Sequence, residues 1–275
     1  MTEREFRFGV VAGKAPSGAE WAATARRAEE LGYDTLLIPD TVHTYAPFAA
    51  LAAAAAVTSS LRVGTYVLSA PNRSPGLVAW EAETLQQLSD GRFELGVGGG
   101  RPGAERDAEA LGGDWGTPAD RLGRVAETVA AVRKLSPAPS VLIAASRPRM
   151  LRLAAAQADI VALGLPPQST EDELGRVVAE LREAAGDRFD QLELHLNSAA
   201  VAPTVEDLPP WLSRMVGGDP QAMAAAGGIA FLVGSAEQIA GLLRRRRDEL
   251  GISYIGVSGL FMEQFAPVLE LLKSA

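Results

Sequence analysis

The chain has 275 residues, 47% of them hydrophobic, and a formal charge of −8 from 26 Lys and Arg against 34 Asp and Glu. That length allows one domain with a sizeable core, and the acidic balance argues against a nucleic-acid surface, which normally carries a basic excess. The absence of cysteine removes disulfides, thiolate nucleophiles and Cys-ligated metals. No signal peptide is visible in the mixed-charge start, so the cytoplasm is the expected location. The alanine-rich run 46–57 is too short to span a membrane and predicts a buried helix.

In chain order, a strand-like start at 6–11 is followed by Ser17 with Glu20 three residues on, a capping-box spacing. Trp21, Ala25, Ala28 and Leu31 then recur at helical spacing, with Gly32 placed to end the helix. The strand at 35–40 is apolar without alternation, as expected where both faces are buried in a parallel sheet. Helices at 47–59, 76–89, 118–135, 149–157, 170–185, 235–251 and 263–273 then alternate with strands at 61–69, 92–97, 140–145, 160–165, 192–201 and 255–258. Eight strands, each followed by a helix, predict an α/β fold closed as a (β/α)8 barrel. Its active site is expected in the loops at the C-terminal ends of the strands. Residues 1–275 read as a single domain, with insertions at about 103–117 and 203–228 that are long for barrel connections and suit a cover. Trp115 and Trp211 are the aromatic candidates there, for ligand contact or for packing their own loop.

The loops at that face hold the candidate chemistry. The strand at 92–97 runs into Gly98, Gly99 and Gly100, whose backbone N–H groups can approach a flat ring or a phosphate. His43, three residues after Asp40, is placed where a proton donor would face the barrel mouth; His195, inside a strand, reads as a satisfied core histidine. No metal-ligand spacing and no nucleophile-elbow motif is present. Arg73, Arg101, Arg106, Arg147 and Arg149 supply positive charge on neighbouring loops; salt bridges to Glu105, Asp107 or Glu109 are the simpler reading for Arg106. Arg147-Pro148-Arg149 opens a helix, so two guanidinium groups and the helix N–H groups can converge on one phosphate. The run Arg244 to Arg247 reads as a solvated helix end.

Several stretches, taken jointly, resemble one family. Ala25-Arg26-Arg27-Ala28-Glu29-Glu30-Leu31-Gly32-Tyr33-Asp34 leads to Pro39-Asp40; Leu61-Arg62-Val63-Gly64-Thr65 follows, then Glu83-Thr84-Leu85-Gln86-Gln87-Leu88-Ser89-Asp90-Gly91-Arg92-Phe93-Glu94-Leu95-Gly96-Val97-Gly98. With Gly251-Ile252-Ser253-Tyr254 and Val257-Ser258-Gly259, these are similar to the luciferase-like monooxygenase superfamily, in its actinobacterial coenzyme F420-dependent branch. The resemblance implies a (β/α)8 barrel, a cofactor ring at the C-terminal strand ends and hydride transfer at that ring's C5. It also implies a backbone bulge at Ser69, Ala70 and Pro71, often with a cis peptide. The ring would lie at Gly98, Gly99 and Gly100, and a phosphate loop at Ala145, Ser146 and Arg147 with Arg149. The sequence departs from the family at Asp40, which is followed by Thr41 with His43 two positions later, at Ser74 in place of a histidine, and at a connection shortened to Ser136-Pro137-Ala138-Pro139.

The expected function is therefore an oxidoreductase moving a hydride between a deazaflavin, coenzyme F420, and a small organic substrate. His43, or else Thr41, would donate a hydrogen bond or proton, with Asp40 orienting the loop. The alternatives are an FMN-dependent monooxygenase, or a barrel that has lost redox function and serves as a non-redox enzyme or accessory subunit. Leu77, Val78, Trp80, Ala82, Leu85 and Leu88 cover more than one face of their helix, and the 46–57 helix is apolar all round. Together they predict a homodimer surface.

Overall fold

The computed structural model describes residues 4–101 and 103–274. Eight strands form a parallel sheet: β1 (Arg7–Val11), β2 (Thr35–Ile38), β3 (Arg62–Thr65), β4 (Phe93–Gly98), β5 (Ser140–Ala145), β6 (Ile160–Leu163), β7 (Glu193–Ser198) and β8 (Ile252–Ser258). Their order is β3-β2-β1-β8-β7-β6-β5-β4, and β3 pairs back to β4 with Val63 opposite Phe93 and Gly64 opposite Glu94. The sheet thus closes on itself as the alternation predicts. The helices that wrap it are α1 (Gly18–Glu30), α2 (Pro47–Ala55), α3 (Pro75–Leu88), α4 (Pro118–Val132), α5 (Pro148–Gln157), α6 (Glu171–Ala185), α7 (Ala236–Leu250) and α8 (Met262–Lys273).

Local chemistry sets the helix starts. Ser17 Oγ accepts from the Glu20 N–H at the head of α1, and Thr117 with Asp120, Thr170 with Glu173 and Ser235 with Gln238 form reciprocal capping boxes on α4, α6 and α7. Several predicted elements end earlier than expected, and three of these endings shape the barrel. The helix at 47–59 stops at Ala55, because the Glu29 carboxylate gathers the backbone N–H groups of Ser59, Ser60 and Leu61 at 2.9, 2.6 and 2.9 Å and turns the chain into β3. The strand at 61–69 is interrupted after Thr65 by a cis Tyr66–Val67 peptide and resumes only as Leu68–Ser69. The strand at 192–201 leaves the barrel after Ser198, and Ala200–Ala202 pairs instead with Phe231–Val233, closing the base of the 203–228 insertion.

The barrel interior is layered. Thr65 Oγ1 both donates to Gly96 O (2.7 Å) and accepts from the Gly96 N–H (2.8 Å), and a Cβ on Gly96 would lie 1.9 Å from Thr65 O, so only glycine lets these strands meet. Below, at the N-terminal strand ends, Arg7 bonds Glu193 at 2.5 Å and also Glu94, which further accepts from Arg62 Nε (3.1 Å) and Thr35 Oγ1 (3.2 Å). Burial raises the Glu193 carboxyl above the usual range, with the Arg7 charge opposing that rise. The Arg7 guanidinium lies 4.3 Å from the Tyr254 ring centre, Tyr254 is 4.6 Å from His195, and His195 is 4.7 Å from Tyr66. An aromatic column therefore climbs from a charged plug toward the mouth. The arginine run expected at the surface is split: Arg246 is 3% exposed and pairs with Glu171 at 2.6 Å, because α7 turns that position toward α6.

Candidate active site

The C-terminal strand ends surround a cavity of about 940 Å³ that reaches from the end of β2 to the start of α6. A second cavity of about 560 Å³ shares Gly99, Gly100, Ala144, Ser146 and Arg147 with it. Of the residues expected from sequence, Asp40, Thr41, Ser69, Gly98, Gly99, Gly100, Ala145, Ser146 and Arg147 line the larger space, and Arg149 lines the smaller.

Asp40 is buried beneath the wall it organises. Its Oδ2 accepts from the Ser69 N–H (3.0 Å), Asn72 Nδ2 (3.1 Å) and Arg73 Nη1 (2.5 Å), which pins the turn after β3. Arg73 is consequently a structural counter-ion here and not a free anion ligand. Arg73 also reaches Glu81 at 4.0 Å; burial raises the Glu81 carboxyl, Arg73 pulls it back down and Asp40 adds to the rise. Two placements differ from the sequence reading. The cis bond expected within Ser69, Ala70 and Pro71 falls between Tyr66 and Val67, while Ala70 and Pro71 form a buried 3-10 turn behind the wall. His43 is exposed and does not line the larger cavity; among the described residues only its backbone N–H is engaged, by Thr41 Oγ1 at 3.3 Å, since Thr41 and Val42, which separate it from Asp40, carry it out onto the loop tip.

Sequence reasoning missed Tyr66 and Val67, which line the larger cavity immediately before the expected bulge. Burial raises the Tyr66 hydroxyl well above its ordinary range, so it stays a neutral O–H donor. His195 was expected to be a satisfied core residue; it is fully buried, yet neither ring nitrogen has a hydrogen-bond partner among the described residues. Burial, and then the nearby Arg7 charge, pushes it down to about 3, so its imidazole is neutral.

The glycine turn is held from behind. Gly100 has φ +87, and a Cβ there would stand 2.6 Å from the Trp115 ring, so the 103–117 insertion closes directly onto the turn. Arg121 stacks over Trp115 at 4.4 Å and donates to Gly116 O at 2.9 Å. Trp211, the other aromatic candidate, stacks on Phe261 with centroids 6.0 Å apart.

The smaller cavity is cationic. Arg121, Arg147, Arg149 and Arg152 all line it; none of the four forms a salt bridge among the described residues, although, after the Thr117 hydrogen bonds, the Arg121 charge also helps to lower the Asp120 carboxyl. Arg147 is the N-cap position of α5 without capping it, so the first N–H groups of that helix stay open. Arg121 and Arg152 were missed because they lie inside predicted helices, away from the loop that carries Arg147. Arg106 has no ion pair among the described residues, since Asp107 is taken by Arg101 at 3.2 Å. No group of three His, Cys, Asp or Glu among the described residues could hold a metal.

A deazaflavin or flavin fits these residues. The glycine turn presents backbone without side chains, Val67 Cγ2 stands 3.0 Å from where a Gly98 Cβ would be, and a cavity lined by four arginines adjoins.

Known proteins resemble this chain in sequence and in fold. Residues 6–208 match the family described as luciferase-like monooxygenase. The chain is 31% identical over 230 residues to an F420-dependent glucose-6-phosphate dehydrogenase of Nakamurella multipartita, covering 70% of this chain and 67% of that protein. Among solved structures, a riboflavin lyase superimposes with a TM-score of 0.77 at 14% identity, over 98% of this chain and 92% of that one. The coenzyme F420-dependent tetrahydromethanopterin reductase from Methanopyrus kandleri gives 0.72 at 16% identity, over 97% of each chain. At those identities the two structures speak for a shared fold.

Proposed function

The chain belongs to the luciferase-like monooxygenase family, and from that premise we propose that it is an oxidoreductase that moves a hydride between coenzyme F420 and a small organic substrate. The observation that carries this reading is the pair of joined cavities, one presenting the bare glycine backbone of Gly98 to Gly100 and the other lined by four arginines that form no salt bridge among the described residues. One guanidinium can hold a phosphate through two parallel N–H···O bonds. Four such groups at an open helix N-terminus suit the longer anionic tail of the deazaflavin better than the lone phosphate of FMN.

When bound, the deazaflavin supplies a ring carbon that accepts or releases hydride. The chain's own residues do the rest. Arg121, Arg147, Arg149 and Arg152 with the first turn of α5 would hold the tail, and Gly98, Gly99, Gly100 and Val67 would hold the ring. Asp40 keeps the wall from Ser69 to Arg73 in one conformation, which fixes the cavity shape before ligand arrives. Thr41 and Tyr66 offer O–H groups to a substrate oxygen, with Tyr66 held neutral by its burial.

Titrating the purified protein with coenzyme F420 and with FMN tests the assignment. Tight deazaflavin binding is expected; binding of FMN alone would make it a flavin monooxygenase, and binding of neither would favour a non-redox role. A cytoplasmic location goes with this reading, since a freely diffusing redox cofactor is loaded and recycled inside the cell.

We also propose a homodimer through α2 and α3. Leu77, Trp80 and Leu88 remain 41%, 68% and 63% exposed, so no loop of the same chain covers them. Sedimentation at micromolar concentration is expected to give twice the chain mass, and Trp80→Glu to give the single mass with the fold intact.

A further inference from the structure

Three arginines line the larger cavity: Arg101, Arg147 and Arg176. Their charges are not equally available. Arg101 is compensated by Asp107 at 3.2 Å. Arg147 is shared with the smaller cavity, where it stands beside Arg149 and Arg152. Arg176 belongs to α6, the next helix round the barrel, and is absent from the smaller cavity's wall. Its Nε donates only to Asp172 O, at 3.3 Å, and no carboxylate pairs with it among the described residues.

The carboxylates on the same wall are already engaged. Asp40 is held through its Oδ2 by Ser69, Asn72 and Arg73. Glu173 accepts from the Thr170 N–H at 3.0 Å as part of the α6 capping box, and makes no ion pair with Arg176 three residues on. On the same wall, Ser169 has its hydroxyl uncommitted among the described residues, while its backbone N–H is spent on Pro166 O at 3.0 Å. Among the described residues the wall thus keeps two guanidinium groups without a carboxylate, Arg176 and the shared Arg147, and one free hydroxyl, in a chain whose overall charge is −8.

We infer that Arg176, with Ser169 and assisted by Arg147, forms a second anion subsite in the larger cavity, and that the substrate carries a phosphate ester or a carboxylate there. This rests on the cofactor assignment above, because it is the cofactor's tail that occupies the smaller cavity and leaves Arg176 to a different ligand. A guanidinium offers forked donors that match either oxyanion, and an uncompensated one at a cavity wall raises the local concentration of anionic ligands. An uncharged substrate would gain nothing from Arg176.

The test is calorimetric titration of the deazaflavin-saturated protein with inorganic phosphate and, separately, with acetate, whose relative affinities rank the two oxyanions. Phosphate or acetate is expected to bind the wild-type holoenzyme, about tenfold or more weakly to Arg176→Gln, with deazaflavin affinity unchanged in that variant. Arg152→Gln is expected to do the reverse, weakening deazaflavin and sparing the small anion. A holoenzyme that binds neither anion, or binds them equally well without Arg176, overturns the subsite. If the protein takes up no deazaflavin at all, the cofactor assignment fails separately. The same titration on the apo Arg149→Gln/Arg152→Gln protein then decides: loss on adding Arg176→Gln supports the subsite, and indifference overturns it.

Discussion

The two ends of the barrel use the same residue types to opposite ends. At the N-terminal end, Arg7 and Arg62 meet Glu94 and Glu193 across the strands, and both of these cations have a carboxylate. At the C-terminal end, Arg147, Arg149, Arg152 and Arg176 stand around two cavities without one among the described residues. Charges that satisfy one another inside a barrel fix its register, because leaving one of them alone there is costly. Charges left unsatisfied at a mouth cost little in water and keep their attraction for a ligand. The aromatic column of Tyr254, His195 and Tyr66 joins these two regimes.

The largest expected break is at the plug. Glu94→Ala removes the acceptor shared by Arg7, Arg62 and Thr35 and is expected to cost about 3 kcal/mol or more in denaturant unfolding, while cofactor binding to the protein that remains folded is unchanged. The converse change is at the mouth. Arg149→Gln with Arg152→Gln removes two charge-assisted contacts, so deazaflavin affinity is expected to fall roughly 100-fold, with unfolding free energy altered by no more than about 0.5 kcal/mol. If the double variant instead unfolds easily, the contrast between the ends is lost.

The column can be probed through pH. His195 is held down to about 3 in the fold, against 6.5 for the free side chain. Below 6.5 the unfolded chain therefore binds a proton that the folded one refuses. The stability from neutral His195 is complete above that pH and is lost as pH falls toward 3, at about 1.4 kcal/mol per pH unit. Chemical denaturation of wild type and His195→Gln between pH 7 and pH 4 checks this; parallel curves would show that His195 does not carry the dependence. The smallest effect is expected at the top of the column. Tyr66→Phe keeps the ring and removes the O–H, and should slow turnover by roughly tenfold with deazaflavin affinity preserved. His43→Ala, on the loop tip, should change neither.

Much of the mouth was legible in the sequence. Asp40, Gly98 to Gly100, and Arg147 with Arg149 each sit where an apolar strand gives way to loop, and a parallel barrel gathers those points at one face. Tyr66 was not legible, because its run reads as one continuous strand, and only the cis bond to Val67 interrupts it. Nor were Arg121, Arg152 and Arg176, which lie in helices α4, α5 and α6 and look like ordinary solvated positions until the helices are placed. His43 misled for the reverse reason: a loop histidine near a strand end suggests a site, but two extra residues swing it outward.

The sequence by itself determined the alternation of strand and helix, the helix starts and the closure into eight units, because apolar period, capping side chains and glycine stops act over a few neighbours. Tertiary structure alone decided which charges were spent. Whether Arg7 is a plug or Arg176 a free ligand depends on carboxylates 87 and 186 positions away in the first case, and in the second on none arriving. That outcome follows from distances across the barrel, which no local pattern encodes.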